Sequence, residues 1–371
     1  MDVQVKLAET AQERLSVFAL RYAITVAEQG KSPPGADNDT RLFTDEHDET
    51  AAIFLAQSDG EVVASLTLLY PAERFDPDWT QQFGIDPSNA GQCVVVCRLV
   101  VRPDWRASGI LGRLFGLAYD HARLAGHALS YCLAAPALVK LYEKLGYRCF
   151  RASSYLPHIG LRVPMLMVIN DLAYLETVVS PFLRQWRKKD TGQRNESWFG
   201  QHFPDYHAYY QDCAQQEQYW SDIAHRVELR GETLFRDLHE SDIRAFIDSS
   251  TVLHLSAGQK LIQTGDVDQE MYYVLSGTVE VLKTVGTSQL SLAAFGPGQI
   301  VGELAFLSRK SRTADVVAIE NAEVLSISRS SLERLALKMP MVTVKVIMNL
   351  AETLGERLQH TTQKFSLPFQ A

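Results

Sequence analysis

A glutamate and an arginine nine positions apart, Glu303 and Arg312, stand in the segment FGPGQIVGELAFLSRKSRTADVVA, residues 295–318. The glycines before them let backbone approach a ligand closely, and Gly302 opens a short helical turn whose free N–H groups would point at an anion. The separation is long enough for the chain to leave that turn and return, so Arg312 can clamp the same anion with two charge-assisted hydrogen bonds. Glu303 is then placed to accept a hydroxyl. An anion with a sugar hydroxyl beside it suits this set. The plainer alternative is a tight turn with Arg312 as an ordinary surface cation.

A second set lies in VVVCRLVVRPDWRASGILGRLFGLAYDHARLAG, residues 94–126. An apolar strand, a polar turn with Arg106 and Gly109, and a helix starting at the turn make a place where helix N–H groups meet a phosphate or pyrophosphate. A further strand and helix follow at 128–133 and 136–145, the latter within LYEKLGY, residues 141–147. Tyr142 there is either a proton donor or a helical aromatic packed in the core. Arg98, inside an apolar strand, needs a carboxylate partner, whether Asp45, Asp48 or a substrate carboxylate. Asp45 and Asp48 could orient or deprotonate an amine, although a capping or solvated pair is the commoner use of acids in a polar loop. Cys97 reads as core, and His158 beside Pro157 as loop.

The elements that must hold these residues follow from periodicity. Residues 11–26 are amphipathic, and 51–56 and 62–70 form a hairpin about Asp59-Gly60. Residues 93–101 read as a buried strand feeding a helix at 109–125. Residues 186–230 read as a partly helical connector, with Arg184, Arg187, Lys188 and Lys189 about its start and a stretch rich in Gln, Tyr and His after them. That basic cluster is either a solvated helix end or a steering patch for an acidic partner. From Leu234, short strand-like runs separated by glycines have the turn spacing of an antiparallel roll. The last helix carries Val344, Ile347, Ala351, Leu354 and Leu358 at heptad spacing, which suits a helix pair or packing on the chain's own roll.

Composition bounds the classes. At 371 residues the chain exceeds what one core usually serves. A net charge of −8 does not support a general nucleic-acid binder. Five cysteines in no CxxC pair argue against a disulfide framework or zinc knuckle and for a reducing cytoplasm. No metal site is expected. Neither a signal peptide nor a membrane span is legible.

The segment VGELAFLSRKSRTADVVA, with HLSAGQKLIQTGDVDQEMYYVLSGTVEVL upstream at 254–282, resembles the cyclic-nucleotide-binding superfamily of the catabolite activator protein and protein kinase A regulatory subunits. The likeness implies ligand contacts from Gly302, Glu303, Leu304, Ala305, Arg312 and Thr313, with cAMP and cGMP both open. The helix-turn-helix that follows in the related transcription factors has no counterpart in the last ten or so residues. Arg106-Ala107-Ser108-Gly109 and LYEKLGY resemble the GNAT acyltransferases. That likeness implies that Leu99, Val101, Arg106, Gly109 and Gly112 hold the acyl donor and that Tyr142 protonates the leaving thiolate. Leu111 stands where that family's loop has a small residue, which favours acyl carrier protein, with its single phosphate, over coenzyme A. Arg21-Tyr22, Glu28, Asp45, Asp48 and the Asp59–Val63 turn resemble acyl-homoserine-lactone synthases and especially long-chain N-acyl amino acid synthases. So do the stretches 163–165 and 180–182. The 64–69 strand lacks the arginine usual in lactone synthases.

The expectation is therefore an α+β protein: a GNAT-like mixed sheet flanked by helices over residues 1–185, the connector 186–230, and an antiparallel β-roll with flanking helices over 231–371. It is expected to be a cytoplasmic N-acyltransferase regulated by a cyclic nucleotide, taking an acyl group from acyl carrier protein or coenzyme A to an amino acid or small amine. A second copy of the chain through 341–360 is an expected partner. Two alternatives stay open, a protein lysine acetyltransferase using acetyl-CoA and a non-catalytic sensor.

Overall fold

The computed structural model describes residues 3–106, 108–156, 159–188, 197–206, 221, 223–225, 227 and 234–366. The chain divides into two compact units, Met1–Tyr210 and Gln211–Ala371. Ala107, Pro157, His158, Lys189, the side chains of Arg187 and Lys188, and much of the 186–230 stretch lie outside the described residues.

The first unit is built on strands β1 (Val3–Leu7), β4 (Ala52–Ser58), β5 (Glu61–Leu69), β6 (Cys93–Val101), β7 (Leu129–Ala134), β8 (Arg148–Cys149), β9 (Ser154–Leu156) and β10 (Gly160–Val168), with β2 (Ala36–Asp37) and β3 (Leu42–Phe43) forming a separate two-stranded ribbon. The sheet order is β1-β4-β5-β6-β7-β10-β8, with β9 also on β10. Only the β6–β7 pair is parallel among the described strands. Asp59 and Gly60 both take left-handed backbone, φ 51° and 84°. Such a two-residue turn matches the twist of the strands it joins, so the β4–β5 hairpin forms where the sequence places it.

Side chains alternate across the sheet and give it two packed faces. On one, Cys93 and Val95 join Trp79, Phe83, Phe150 and Phe199. On the other, Val96 faces Phe115, Ala118 and Tyr119 of a long helix. The helices of this unit are α1 (Ala11–Tyr22), α2 (Asp78–Phe83), α3 (Ile110–Leu124), α4 (Val139–Leu145), α5 (Leu172–Thr177), α6 (Leu183–Lys188) and α7 (Trp198–His202). A capping box between Thr10 and Glu13 starts α1, and a π-helical segment, Ala23–Glu28, continues it.

The first unit runs further than residue 185, because the chain past it supplies core. Phe199 is fully buried, and the Arg148 guanidinium lies 3.9 Å from its ring centroid and 4.0 Å from that of Tyr174 while paired with Asp171 at 2.6 Å. Those rings shield a buried ion pair from water.

The second unit pairs two four-stranded antiparallel sheets. One has the order β11 (Thr251–Leu255), β18 (Ala322–Ser328), β13 (Glu270–Ser276), β16 (Ile300–Val301). The other has β12 (Lys260–Ile262), β17 (Asp315–Ala318), β14 (Val279–Val285), β15 (Ser288–Phe295). Helices α8 (Glu240–Asp248), α9 (Glu303–Ser308), α10 (Arg329–Lys338) and α11 (Pro340–Ser366) flank them. The α+β reading holds in both units. The heptad stripe of α11 lies at the margin of its packed face rather than forming a seam of its own. Val342, Val346 and Leu350 are buried against Phe235, Phe246 and Tyr273, Ile347 and Leu354 pack at the edge, and Val344 and Leu358 are exposed. No helix among the described residues is long and apolar enough to cross a membrane.

If α7 is part of the first core, Phe199→Ala should destabilise that unit by about 3–5 kcal/mol, the usual cost of emptying a buried aromatic site. Urea unfolding followed by near-ultraviolet circular dichroism measures it; a loss under about 1 kcal/mol would make residues 198–206 a surface attachment.

Candidate functional site

In the roll, Gly302 sits at the start of α9 with φ 79°. A Cβ there would lie 2.8 Å from the Arg312 guanidinium and 2.9 Å from Ile262, so only glycine fits. Arg312 is buried, and its two terminal nitrogens donate to the Gly302 carbonyl, at 2.7 Å, and to the Glu270 carbonyl. Its own backbone is held against the 265–266 turn, with Arg312 N donating to Asp266 O at 2.7 Å and Gly265 N to Arg312 O at 2.8 Å. The ordinary surface cation is thereby excluded. A guanidinium kept in place by neutral carbonyls retains its full charge for an anion, and it lies against Gly302, where no side chain stands between it and the start of α9. A cyclic phosphate fits such a cradle.

The neighbouring expectations are met unevenly. Glu303 is buried at the first position of α9 and is already paired, accepting from Arg357 of α11 at 2.9 Å. Leu304 and Thr313 are exposed, while the Ala305 side chain is turned into the core. The Thr313 carbonyl accepts from Lys283 at 2.8 Å.

In the first unit, β6 pairs with β7 only from Cys93–Leu129 to Val96–Cys132. On its other side the register against β5 slips between Ser65 and Thr67, which face Val100 and Cys97, so β6 carries an extra residue there. That residue set includes Arg98, whose φ is 50°. Such a bulge bends a strand, and β6 leaves β7 beyond Val96. The segment that contains Leu99 and Val101 thus borders the parting of the two strands.

Arg98 points to the acids. It pairs with Asp45 at 2.5 Å and lies 4.0 Å from Asp48. Asp48 receives both carboxylate contacts of Arg21 Nη1 at 2.9 Å, and Arg21 also donates to Thr67 at 2.8 Å. Asp45 caps the 3-10 turn Glu46–Glu49 and accepts from the backbone and ring of His47 at 2.8 and 2.9 Å. Both acids are therefore structural ligands of arginine, and the capping reading holds for Asp45. Burial opposes charge on Asp45, but Arg98 and His47 outweigh it and hold the carboxyl below its usual range. A carboxylate so held is a weak base.

Tyr142 is buried on α4, edge-on to Phe115 and Tyr147 with centroids 5.5 and 5.2 Å away. Burial pushes its phenol well above the usual range, with Cys132, Tyr147 and Cys97 adding to it. Cys97 and Cys132 belong to β6 and β7 where they part, so the phenol lies near that parting. Gly109 precedes α3 at φ 78°, with open space around it and around Gly112. Arg106 is bound on both arms by Glu28 at 2.7 and 2.9 Å and to the Val101 carbonyl at 3.3 Å. Leu111 is half-buried.

Residues 16–169 match the family model for N-acyl amino acid synthase FeeM, and residues 252–338 match that for the cyclic nucleotide-binding domain. The chain joins an FeeM domain to a cyclic nucleotide-binding domain. Among similar proteins, the cyclic AMP receptor protein of Thermus thermophilus is 29% identical over 140 residues, 38% of this chain and 63% of that one. Glutaminase 2 of Bradyrhizobium diazoefficiens is 32% identical over 148 residues, 40% of this chain and 23% of that one. The chain thus spans less than two thirds of each. Among solved structures, the Thermus thermophilus catabolite activator protein matches with 29% identity over 37% of this chain and 62% of that one, TM-score 0.34. A cyclic nucleotide-binding domain from Methylobacillus flagellatus matches with 23% identity over 42% and 86%, TM-score 0.37.

Sequence reasoning missed His47 in the FeeM domain, and Lys283 and Arg357 in the cyclic nucleotide-binding domain. His47 is local, two residues from Asp45, but its type there marks no site; Lys283 and Arg357 are joined to theirs by chain folding rather than by spacing. Glu28 was noted only for family likeness, and nothing in the sequence paired it with Arg106.

Asp48→Asn should destabilise the FeeM domain by about 3–5 kcal/mol, because it leaves the fully buried Arg21 without its charge partner. Asp45→Asn acts through pH instead. A folded-state carboxyl held below its unfolded value contributes stability above that unfolded value and loses it as pH falls through the folded one. Wild-type stability should thus fall with acid below about pH 4, and the fall should be shallower in Asp45→Asn. Urea midpoints between pH 2 and 7 test both; parallel pH profiles would remove Asp45 from the linkage.

Proposed function

We propose that the chain is a cytoplasmic N-acyltransferase that moves a long-chain acyl group from a carrier-protein or coenzyme A thioester to the amine of an amino acid or small amine, under control of a cyclic nucleotide. The observation that carries the catalytic half is the parting of β6 from β7 beside a buried phenol. Strand edges left open by the bulge can take an extended, amide-bearing arm as an added strand. A pantetheine arm has that form. Beside Val96 the arm's thioester would meet a small, mostly apolar space lined by Leu68, Phe115, Ala118, Tyr119 and Met167, which holds no more than a water, so a long alkyl chain would enter only if these side chains moved aside.

The chemistry follows from these residues. The amine nitrogen attacks the thioester carbon, the C–S bond breaks, the departing thiolate takes the Tyr142 proton, the amine releases one proton to water, and the phenolate regains a proton from water. Burial keeps the phenol protonated beforehand, and the same surroundings raise the proton affinity of the thiolate, so the transfer is matched. Backbone N–H groups of the bulged Cys97–Leu99 segment polarise the carbonyl. Asp45 and Asp48, held by Arg98 and Arg21, orient the acceptor side rather than collect its proton. Arg106 and the Gly109 turn take a donor phosphate, and the bulk of Leu111 favours the single phosphate of a carrier protein.

The regulatory half rests on the buried Arg312 and the glycine it touches. The exposed side of α11 suits a second copy of the chain. Turnover of Tyr142→Phe with acyl carrier protein donors, read as N-acyl product by mass spectrometry, should fall about a hundredfold, the scale of a lost proton donor. An unchanged rate would return Tyr142 to core packing. Arg312→Ala should lower cyclic nucleotide affinity by about thirty- to a thousandfold, as for a lost charge-assisted contact. In wild type, saturating nucleotide should change donor affinity by about five- to a hundred-and-fifty-fold, and donor should change nucleotide affinity by the same factor. No change with either cAMP or cGMP would leave the roll without a regulatory part.

A further inference from the structure

We propose that His47 is a catalytic base of the acyl transfer: its Nε2 takes a proton from the incoming ammonium so that the nitrogen can attack. The inference rests on the N-acyltransferase reading of the FeeM domain and adds the group that frees its nucleophile. His47 lies in the 3-10 turn Glu46–Glu49, and its ring Nδ1 is 2.9 Å from Asp45 Oδ1. Asp45 is ionised against Arg98 and can only accept, so the neutral imidazole carries its hydrogen on Nδ1 and its lone pair on Nε2. The ring packs on Trp79 with centroids 5.2 Å apart, which fixes its plane. Among the described residues Nε2 has no hydrogen-bond partner, and it is open to solvent rather than sealed in the core. One ring nitrogen is clamped and the other is left to take a proton.

The fold does not ask for an imidazole here. The backbone N–H of His47 already donates to Asp45 Oδ1 at 2.8 Å, which makes the cap, and a phenyl ring would pack on Trp79 without bringing polar atoms into a side chain only 9% exposed. Its place follows from the ion pairs. Asp45 Oδ2 pairs with Arg98 at 2.5 Å, and Arg98 stands in the β6 bulge, beside the Cys97–Leu99 amides that the proposed chemistry aims at the thioester carbonyl. His47 is thus one carboxylate away from that bulge. Trp79 packs with Cys93 and Val95 on one face of the sheet, whereas the space beside Val96 lies on the other, so amine and acyl chain come to the carbonyl from opposite faces. An aliphatic amine is mostly protonated near neutral pH and then has no lone pair to attack with. One ammonium N–H bond breaks, its electron pair stays on nitrogen, and the proton goes to Nε2. The imidazolium is stabilised by Asp45 and returns its proton to water, while the freed amine attacks as described above. The sum is one proton released for each amide made from an ammonium.

The test is turnover of the full chain with myristoyl acyl carrier protein as donor and the common amino acids and ethanolamine as acceptors, read as N-acyl product by mass spectrometry. His47→Asn keeps a side-chain donor for Asp45 but has no basic nitrogen. At about pH 7 its turnover should be about a hundredfold below wild type, with the donor KM changed by less than about twofold. At about pH 10 solvent deprotonates the acceptor, and the deficit should shrink below about tenfold. Asp45 and, through it, Arg98 are the charged groups joined to the imidazole, and both keep their charges over that range; Trp79, packed on the ring, is neutral. His47→Phe, which keeps an aromatic ring on Trp79, should show the same pH-dependent deficit, and near-ultraviolet circular dichroism shows that each variant is folded. An equal deficit at both pH values would make His47 a packing residue, and wild-type turnover in either folded variant would also overturn the proposal. If wild type forms no N-acyl product with any of these acceptors, the acyltransferase reading falls and the base with it. If wild type forms product and the variants match it, only the role of His47 falls.

Discussion

The catalytic reading depends on a charge that cannot be left alone. Arg21 is fully buried in the FeeM domain, and its guanidinium is tolerated only because Asp48 and Thr67 meet it. Asp48 in turn lies 4.0 Å from Arg98, which is bound to Asp45. Two cations and two anions make a neutral group, and Arg98 can join it only by leaving regular strand geometry. Its left-handed backbone is the cost, and the bulge in β6 is the result. A strand that bends there cannot follow β7. The parting of β6 from β7 is thus tied to the ion-pair cluster beside it, and on the proposed reading the acids act in shape and orientation rather than in proton removal.

The roll solves a related problem differently. Arg312 is buried with no carboxylate partner among the described residues, and two of its five N–H donors go to the carbonyls of Gly302 and Glu270. Carbonyl dipoles orient a guanidinium without neutralising it, so its charge stays available to an incoming phosphate. Glu303 beside it has the opposite arrangement, since Arg357 offsets its charge and leaves acceptor capacity. The FeeM cluster is closed and balanced, as a scaffold should be. The Arg312 guanidinium, held by carbonyls, differs from it in having no carboxylate partner among the described residues.

How much of this was legible follows from how far apart the partners lie in the chain. Gly302, Glu303 and Arg312 fall within eleven residues, and their types alone define the chemistry. The Asp59-Gly60 hairpin and the apolar run of β6 are equally local. Arg98 announced itself as a charge in an apolar strand, and it has its carboxylate, but nothing local told that Asp48 would go to Arg21. Arg357 and Glu303 are 54 residues apart, and Arg106 and Glu28 are 78 apart, with no periodicity to join them. The heptad stripe of α11 was real as a pattern yet ambiguous in meaning, because an amphipathic helix on a roll and a paired helix use the same spacing. Phe199 was illegible for another reason: a short aromatic cluster, Trp198, Phe199, Phe203 and Tyr206, in an otherwise polar stretch does not say which core it joins.

The long last helix bears on regulation through a simple energetic limit. A ligand shifts an equilibrium only by the difference in its free energy between the two states. Apolar contacts of Val342, Val346 and Leu350 with the roll are indifferent to whether nucleotide is bound. The ion pair of Arg357 with Glu303 ties the same helix to the residue next to the glycine whose carbonyl Arg312 holds. Partly buried charge pairs and hydrogen bonds to charged groups are worth about 1.5–3 kcal/mol. That range covers the coupling of about 1–3 kcal/mol typical of two linked sites. On the proposed reading, the part of α11 beyond its apolar anchor is where occupancy of the roll would be converted into helix position.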